Sequence, residues 1–131
     1  MTAAKAILVT STRALTDVLG ATTVYVRPDG VRVGTGAEVV QAMNGSSVAP
    51  ATIESAVTQH GDGSFADGSY VWTGVARQGT GDKDTCRDWT SAAATDTGTI
   101  GGLATGWVCA GSCGNFACNS WTGVFLQCAE Q

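Results

Sequence analysis

All five cysteines of this 131-residue chain lie between Cys86 and Cys128, and none precedes them. Three of the four tryptophans, Trp89, Trp107 and Trp121, fall in the same stretch. The first part must therefore build its interior from ordinary hydrocarbon side chains, while the last third reads as a loop-rich half that can be stapled. Clustered cysteines can mean disulfides, a metal site or free thiols. Zinc takes closely paired cysteines or cysteine–histidine knuckles. Here three residues separate Cys109 from Cys113, four separate Cys113 from Cys118, and His60 is the single histidine. The reading is disulfides, no metal ion and no cofactor, which places the protein outside the cytoplasm, secreted or at a cell surface. Cys109 with Cys113 is feasible across a glycine-containing turn, and Cys109 with Cys128 competes with it; the connectivity stays open at this point.

Length fits one domain, residues 1–131, large enough to bury a real core. Only 14% of the residues are charged, and there are 18 glycines, a balance met both in secreted surface proteins and in turn-rich β proteins. Lys5, Arg13, Arg27 and Arg32 offset Asp17, Asp29, Glu38 and Glu54, so the net charge of −4 arises beyond residue 61. An acidic balance with no lysine–arginine cluster argues against nucleic acid, whose affinity comes largely from phosphate neutralisation. No apolar run approaches the roughly 18–20 residues of a membrane span. Ala6-Ile7-Leu8-Val9 is too short for a signal-peptide core, which suggests a mature or trimmed form.

Local patterning gives an element order. Ala6–Thr10 is a short strand, and Ser11-Thr12 offers N-cap hydroxyls to a helix through Ala14, Leu15 and Val18 that Gly20 ends. Thr22–Arg27 is the clearest strand; Pro28-Asp29-Gly30 is turn chemistry, and Val31-Arg32-Val33 returns as the second arm of a hairpin. Glu38–Met43 suits one or two helical turns, and Ile53–Val57 suits either strand or helix. His60–Ser64 and Asp67–Ser69 are turns, and Tyr70–Val75 is a core strand. Gly79–Asp84 reads as a polar loop, Ala92–Gly106 as a long unpatterned loop, and Trp107-Val108 and Val124–Cys128 as closing strands. The sum is an α+β fold: a small, twisted, mostly antiparallel sheet, one or two short helices and a long disulfide-pinned loop region.

The order of landmarks carries a resemblance. Val71-Trp72-Thr73-Gly74, Thr85-Cys86-Arg87-Asp88-Trp89-Thr90-Ser91, Gly98, Trp107, Cys118 and Phe125-Leu126-Gln127-Cys128-Ala129-Glu130 follow one another as in a known family. The chain resembles a bacterial surface-protein domain of unknown function in the endostatin-like branch of the C-type-lectin-like superfamily. The resemblance covers residues 5–131 and is best over 70–131. It implies a C-type-lectin-like fold and a pairing of Cys86 with Cys118, a closure worth about 3–4 kcal/mol by the chain-entropy relation. Two departures stand out. The resemblance starts after the family's opening strand and cysteine-bearing helix, which implies that Cys128 is unpaired or free for an intermolecular bond, and Cys109 and Cys113 are additions. The lectin-type calcium motif is absent, so sugar binding does not come with the resemblance.

Candidate sites are few. Asp62, Asp67, Asp82 and Asp84 could converge on calcium, yet they lack EF-hand spacing and suit solvated turns equally well. Asp82, Asp84, Trp89 and Trp121 are the candidate ligand contacts; a tryptophan face can stack on a sugar, and it can as readily fill a core. No Gly-x-Ser-x-Gly elbow accompanies His60, and an Asp82/Asp84 pair would need burial and opposed environments to act as acid and base. No catalytic residue is assigned. Two functions remain: a non-enzymatic extracellular binding or adhesion module for an unidentified protein or glycan, or a structural subunit that self-associates in a filament, layer or virion, with a neighbour supplying the missing elements.

Overall fold

The computed structural model describes residues 4–43, 53–55, 59–60, 62–65, 70–75, 84–102, 115–120, 124–126 and 128–130. It is a small α+β fold with sheets of two, two and four strands. The first strand, β1 (Ala4–Ala6), pairs antiparallel with the last, β8 (Cys128–Glu130), with Ala4 opposite Glu130 and Ala6 opposite Cys128. The chain then runs along the four-stranded sheet, where the Val9 amide donates to the Thr73 carbonyl.

A one-turn 3₁₀ helix follows at Leu15–Asp17, shorter than the helix expected from Ser11-Thr12. Its cap is Ala14, which has no hydroxyl to accept a first-turn amide; its own amide donates to the Asp17 carboxylate at 2.8 Å, the returning half of a capping box. Ser11 is used elsewhere. The expected hairpin is present as β2 (Val24–Val26) and β3 (Arg32–Thr35), closed by Gly30 N–H to Arg27 and Arg27 N–H to Val31. Directly after β3 comes α1 (Gly36–Met43). Thr35 and Glu38 form a reciprocal cap: the Thr35 amide donates to the Glu38 carboxylate at 2.6 Å, and the Glu38 amide donates to the Thr35 hydroxyl at 3.3 Å. Val39 and Met43, one turn apart, are the buried side of the helix, and Ile53 packs into the same interior.

The main sheet has the order β6-β5-β4-β7, built from β4 (Tyr70–Trp72), β5 (Thr97–Gly102), β6 (Asn115–Ala117) and β7 (Val124–Leu126). Only the β4–β7 pair among the described ladders is parallel. One sequence expectation fails here. The stretch expected to be an unpatterned loop, Ala92–Gly106, contains the longest described strand, and Asn115–Ala117 is a further strand beside it. The run Thr-Gly-Thr-Ile-Gly-Gly lacks a strand-like apolar pattern because tight packing, not side-chain bulk, selects its residues. A Cβ on Gly98 would lie 2.6 Å from the Trp72 ring and 2.7 Å from the Cys86 sulfur, so only glycine lets both approach β5. The run Val124–Cys128 is likewise divided, with β7 in the main sheet and β8 on β1.

Strand alternation in β4 splits the interior in two. Val71, fully buried, joins the aliphatic cluster of Ile7, Val9, Leu15, Val18, Leu19, Val33, Val39, Met43 and Ile53. Trp72 faces the other way, opposite Ile100, and meets Trp89 edge-on with ring centroids 5.8 Å apart.

Candidate functional site

The segment Asp84–Ser91 takes over from β4 at one edge of β5. Gly74, at φ +66°, turns the chain off the sheet, and a Cβ there would meet the Val9 carbonyl at 2.9 Å and the Trp89 ring at 3.0 Å. In the vacated place the Asp84 carbonyl accepts the Thr99 amide, and Thr85 bridges Gly98.

The four residues that follow, Cys86–Trp89, form a single helical turn wound the wrong way. Their φ angles are 48°, 52°, 54° and 65°, all left-handed, and none of the four is glycine. For L-residues this region costs about 1–2 kcal/mol per residue. Such a conformation persists where its surroundings over-determine it, and here they do. Cys86 is bonded to Cys118 at the end of β6, with Cα atoms 5.7 Å apart. Asp88 is held from the far end of the sequence: its carboxylate accepts the Ser11 amide at 2.6 Å, the Ser11 hydroxyl at 2.5 Å and the Thr85 hydroxyl at 3.3 Å. The two bonds from Ser11 hold the Asp88 carboxyl below the ordinary carboxylate range. Trp89 donates its indole N–H to the Val9 carbonyl at 2.8 Å. Arg87 pairs with Asp96 at 2.9 Å, and Asp96 also accepts the Ser91 hydroxyl and, through its carbonyl, the Cys118 amide.

This anchoring sorts the side chains. Cys86 is buried and Trp89 half-buried, whereas Arg87 and Asp88 point outward, the Arg87 side chain with 74% of its surface exposed. Trp89, a candidate for stacking on a ligand, is instead engaged by Trp72 and Val9. The outward pair escaped sequence reasoning; two charged residues between a cysteine and a tryptophan were the available signal.

On the other face of β5 lies a second polar group. Cross-strand pairing sets Thr99 between Asp84 and Asn115. The Asp84 carboxylate accepts the Thr97 hydroxyl at 3.0 Å and the Asn115 side-chain amide. The Thr99 hydroxyl itself is buried without a hydrogen-bond partner. Asp62 is remote from this group in the sequence and is occupied by the Ser64 amide and hydroxyl. Among the described residues no group of three or more histidines, cysteines or acids could hold a metal ion. His60 lies in the expected turn, its amide donating to the Ser64 carbonyl.

Cys128 is an exposed free thiol on β8. Asp67, Asp82, Cys109, Cys113, Trp107 and Trp121 lie outside the described residues, as do the expected turn at 67–69 and the expected strand at 107–108. Among the described residues no helix is long and apolar enough to cross a membrane. The fold and site define a small disulfide-bonded α+β protein built around a left-handed turn. Compared with known proteins, the chain matches no family, no curated protein and no solved structure.

Proposed function

We propose that this protein is a non-enzymatic binding or adhesion module that works outside the cytoplasm, secreted or at a cell surface. The observation that carries this reading is the left-handed turn, which presents Arg87 and Asp88 to solvent from a rigidly anchored base. Backbone strain of this kind clusters at ligand clamps and other functional sites. A disulfide suits an oxidising compartment. The resemblance to the endostatin-like branch of the C-type-lectin-like superfamily points the same way, towards recognition of a protein or glycan. With Asp88 spent on holding the turn, the exposed Arg87 guanidinium is the group offered to a partner, a planar donor fork that suits sugar hydroxyls or a polar peptide surface.

The test is binding of the oxidised protein to a glycan array and to a panel of extracellular proteins, with Arg87→Ala in parallel. Binding that falls roughly tenfold or more in Arg87→Ala supports the reading, since hot-spot arginines carry that much. Binding unchanged in the variant moves the site elsewhere, and no binding to either panel sinks the proposal.

A second reading has its own observation: the exposed thiol of Cys128 on the β1–β8 ribbon. In a structural subunit of a filament, layer or virion, that thiol joins a neighbouring chain. Oxidised protein that runs as a covalent dimer, and as a monomer in Cys128→Ser, favours this reading. A strict monomer with a free thiol removes it.

A further inference from the structure

We propose that the Cys86–Cys118 disulfide is a redox latch for the left-handed turn: with the bond formed the turn grips Ser11, and with the bond reduced the turn rewinds and lets Ser11 go.

The geometry supplies each part. The bond joins the first residue of the turn to Cys118, which is buried at the end of β6 and fixed through its amide to the Asp96 carbonyl. Beneath it, Gly98 leaves room for the sulfur against β5. Of the remaining ties, the Trp89 bond to Val9 and its packing on Trp72 are partly sheltered, and the others open to solvent. Ser11 and Asp88 are both exposed, and Arg87 meets Asp96 from solvent. Exposed charged contacts contribute little on their own. Four residues held at positive φ each favour the right-handed region, so losing the covalent bond weakens the set of ties that opposes that preference. Rewinding swings Asp88 away from Ser11 and the Trp89 indole away from the Val9 carbonyl, contacts that span 77 and 80 residues of sequence. The turn and Ser11 are therefore coupled through Asp88.

The chemistry is ordinary thiol–disulfide exchange. A dithiol reductant attacks one sulfur as its thiolate, and its second thiol then closes it into a cyclic disulfide. The Cys86–Cys118 bond breaks, the dithiol gives up two electrons and two protons, and two cysteine thiols result.

Amide hydrogen exchange on the oxidised and dithiol-reduced protein reads the outcome. Exchange at the Ser11 and Trp89 amides should quicken roughly tenfold or more on reduction, while Val71 in β4 keeps its protection, the signature of local opening. Arg87→Gly supplies the second arm. Glycine enters the left-handed region freely, so the same quickening should shrink by roughly fivefold. Three results overturn the latch: Ser11 and Trp89 as protected after reduction as before, Val71 losing protection together with them, or Arg87→Gly behaving as the natural sequence.

Discussion

Around Leu19, Val39 and Met43 the interior is aliphatic, drawn from a hairpin, two short helical segments and the 7–9 segment, and no cysteine belongs to that cluster. Around Gly98 the packing is of another kind: Trp72, Trp89 and a disulfide gather over a strand whose residues are threonine and glycine apart from Ile100. The first region gains its stability from buried area. The second sets a conformation that its own residues disfavour and holds it with one covalent bond and a ring of polar ties. Regions of the first kind suit a scaffold, and regions of the second suit a surface whose shape matters. They meet at β4, where Val71 belongs to one interior and Trp72 to the other.

Substitutions can break or sharpen that contrast. Leu19→Ala empties a site only 2% exposed and should cost about 3–4 kcal/mol in a urea titration. Trp72 and Trp89 pack in the second region, so their part of the emission reports on it. That emission should shift together with far-UV circular dichroism, as one cooperative transition; two separate transitions would show that β4 fails to couple the interiors. Gly98→Ala forces a Cβ against Trp72 and Cys86 and should destabilise by about 2 kcal/mol. A thermal melt showing no loss would mean that the packing over β5 is loose.

Thr99→Val removes the orphaned hydroxyl and should raise stability by about 1 kcal/mol. A loss instead would place a water or ligand on that oxygen. The smallest effect is pH-dependent. Because the folded Asp88 carboxyl titrates below its ordinary 3.8, its stabilisation is fully present above that value and is lost as pH falls through the lower folded one. The gap in urea midpoint between the natural sequence and Asp88→Asn should therefore be open at about pH 6 and close towards about pH 2. A gap that persists in acid would show that ionised Asp88 is not what grips Ser11.

The first region was the legible one. Pro28-Asp29-Gly30 announces its hairpin and Glu38–Met43 its helix because turn and helix preferences act over a few residues. In the second region the deciding contacts are distant in sequence. Nothing local marks β5 as a strand; Gly98 matters only once Trp72 and Cys86 arrive above it. Nor does Cys-Arg-Asp-Trp favour left-handed winding, which is imposed by Cys118, Ser11 and Val9. Ser11 was readable as a helix cap, and its true partner stands 77 residues away.

The ladder between β1 and β8 has a mechanical consequence. Ala4 lies opposite Glu130 at its outer end and Ala6 opposite Cys128 at its inner end. Tension applied through those outer residues loads the rungs singly, from Ala4–Glu130 inward, so the ribbon unzips at low force instead of shearing. A tether attached there would give way first at this ribbon, leaving the turn and its disulfide unloaded until it had opened.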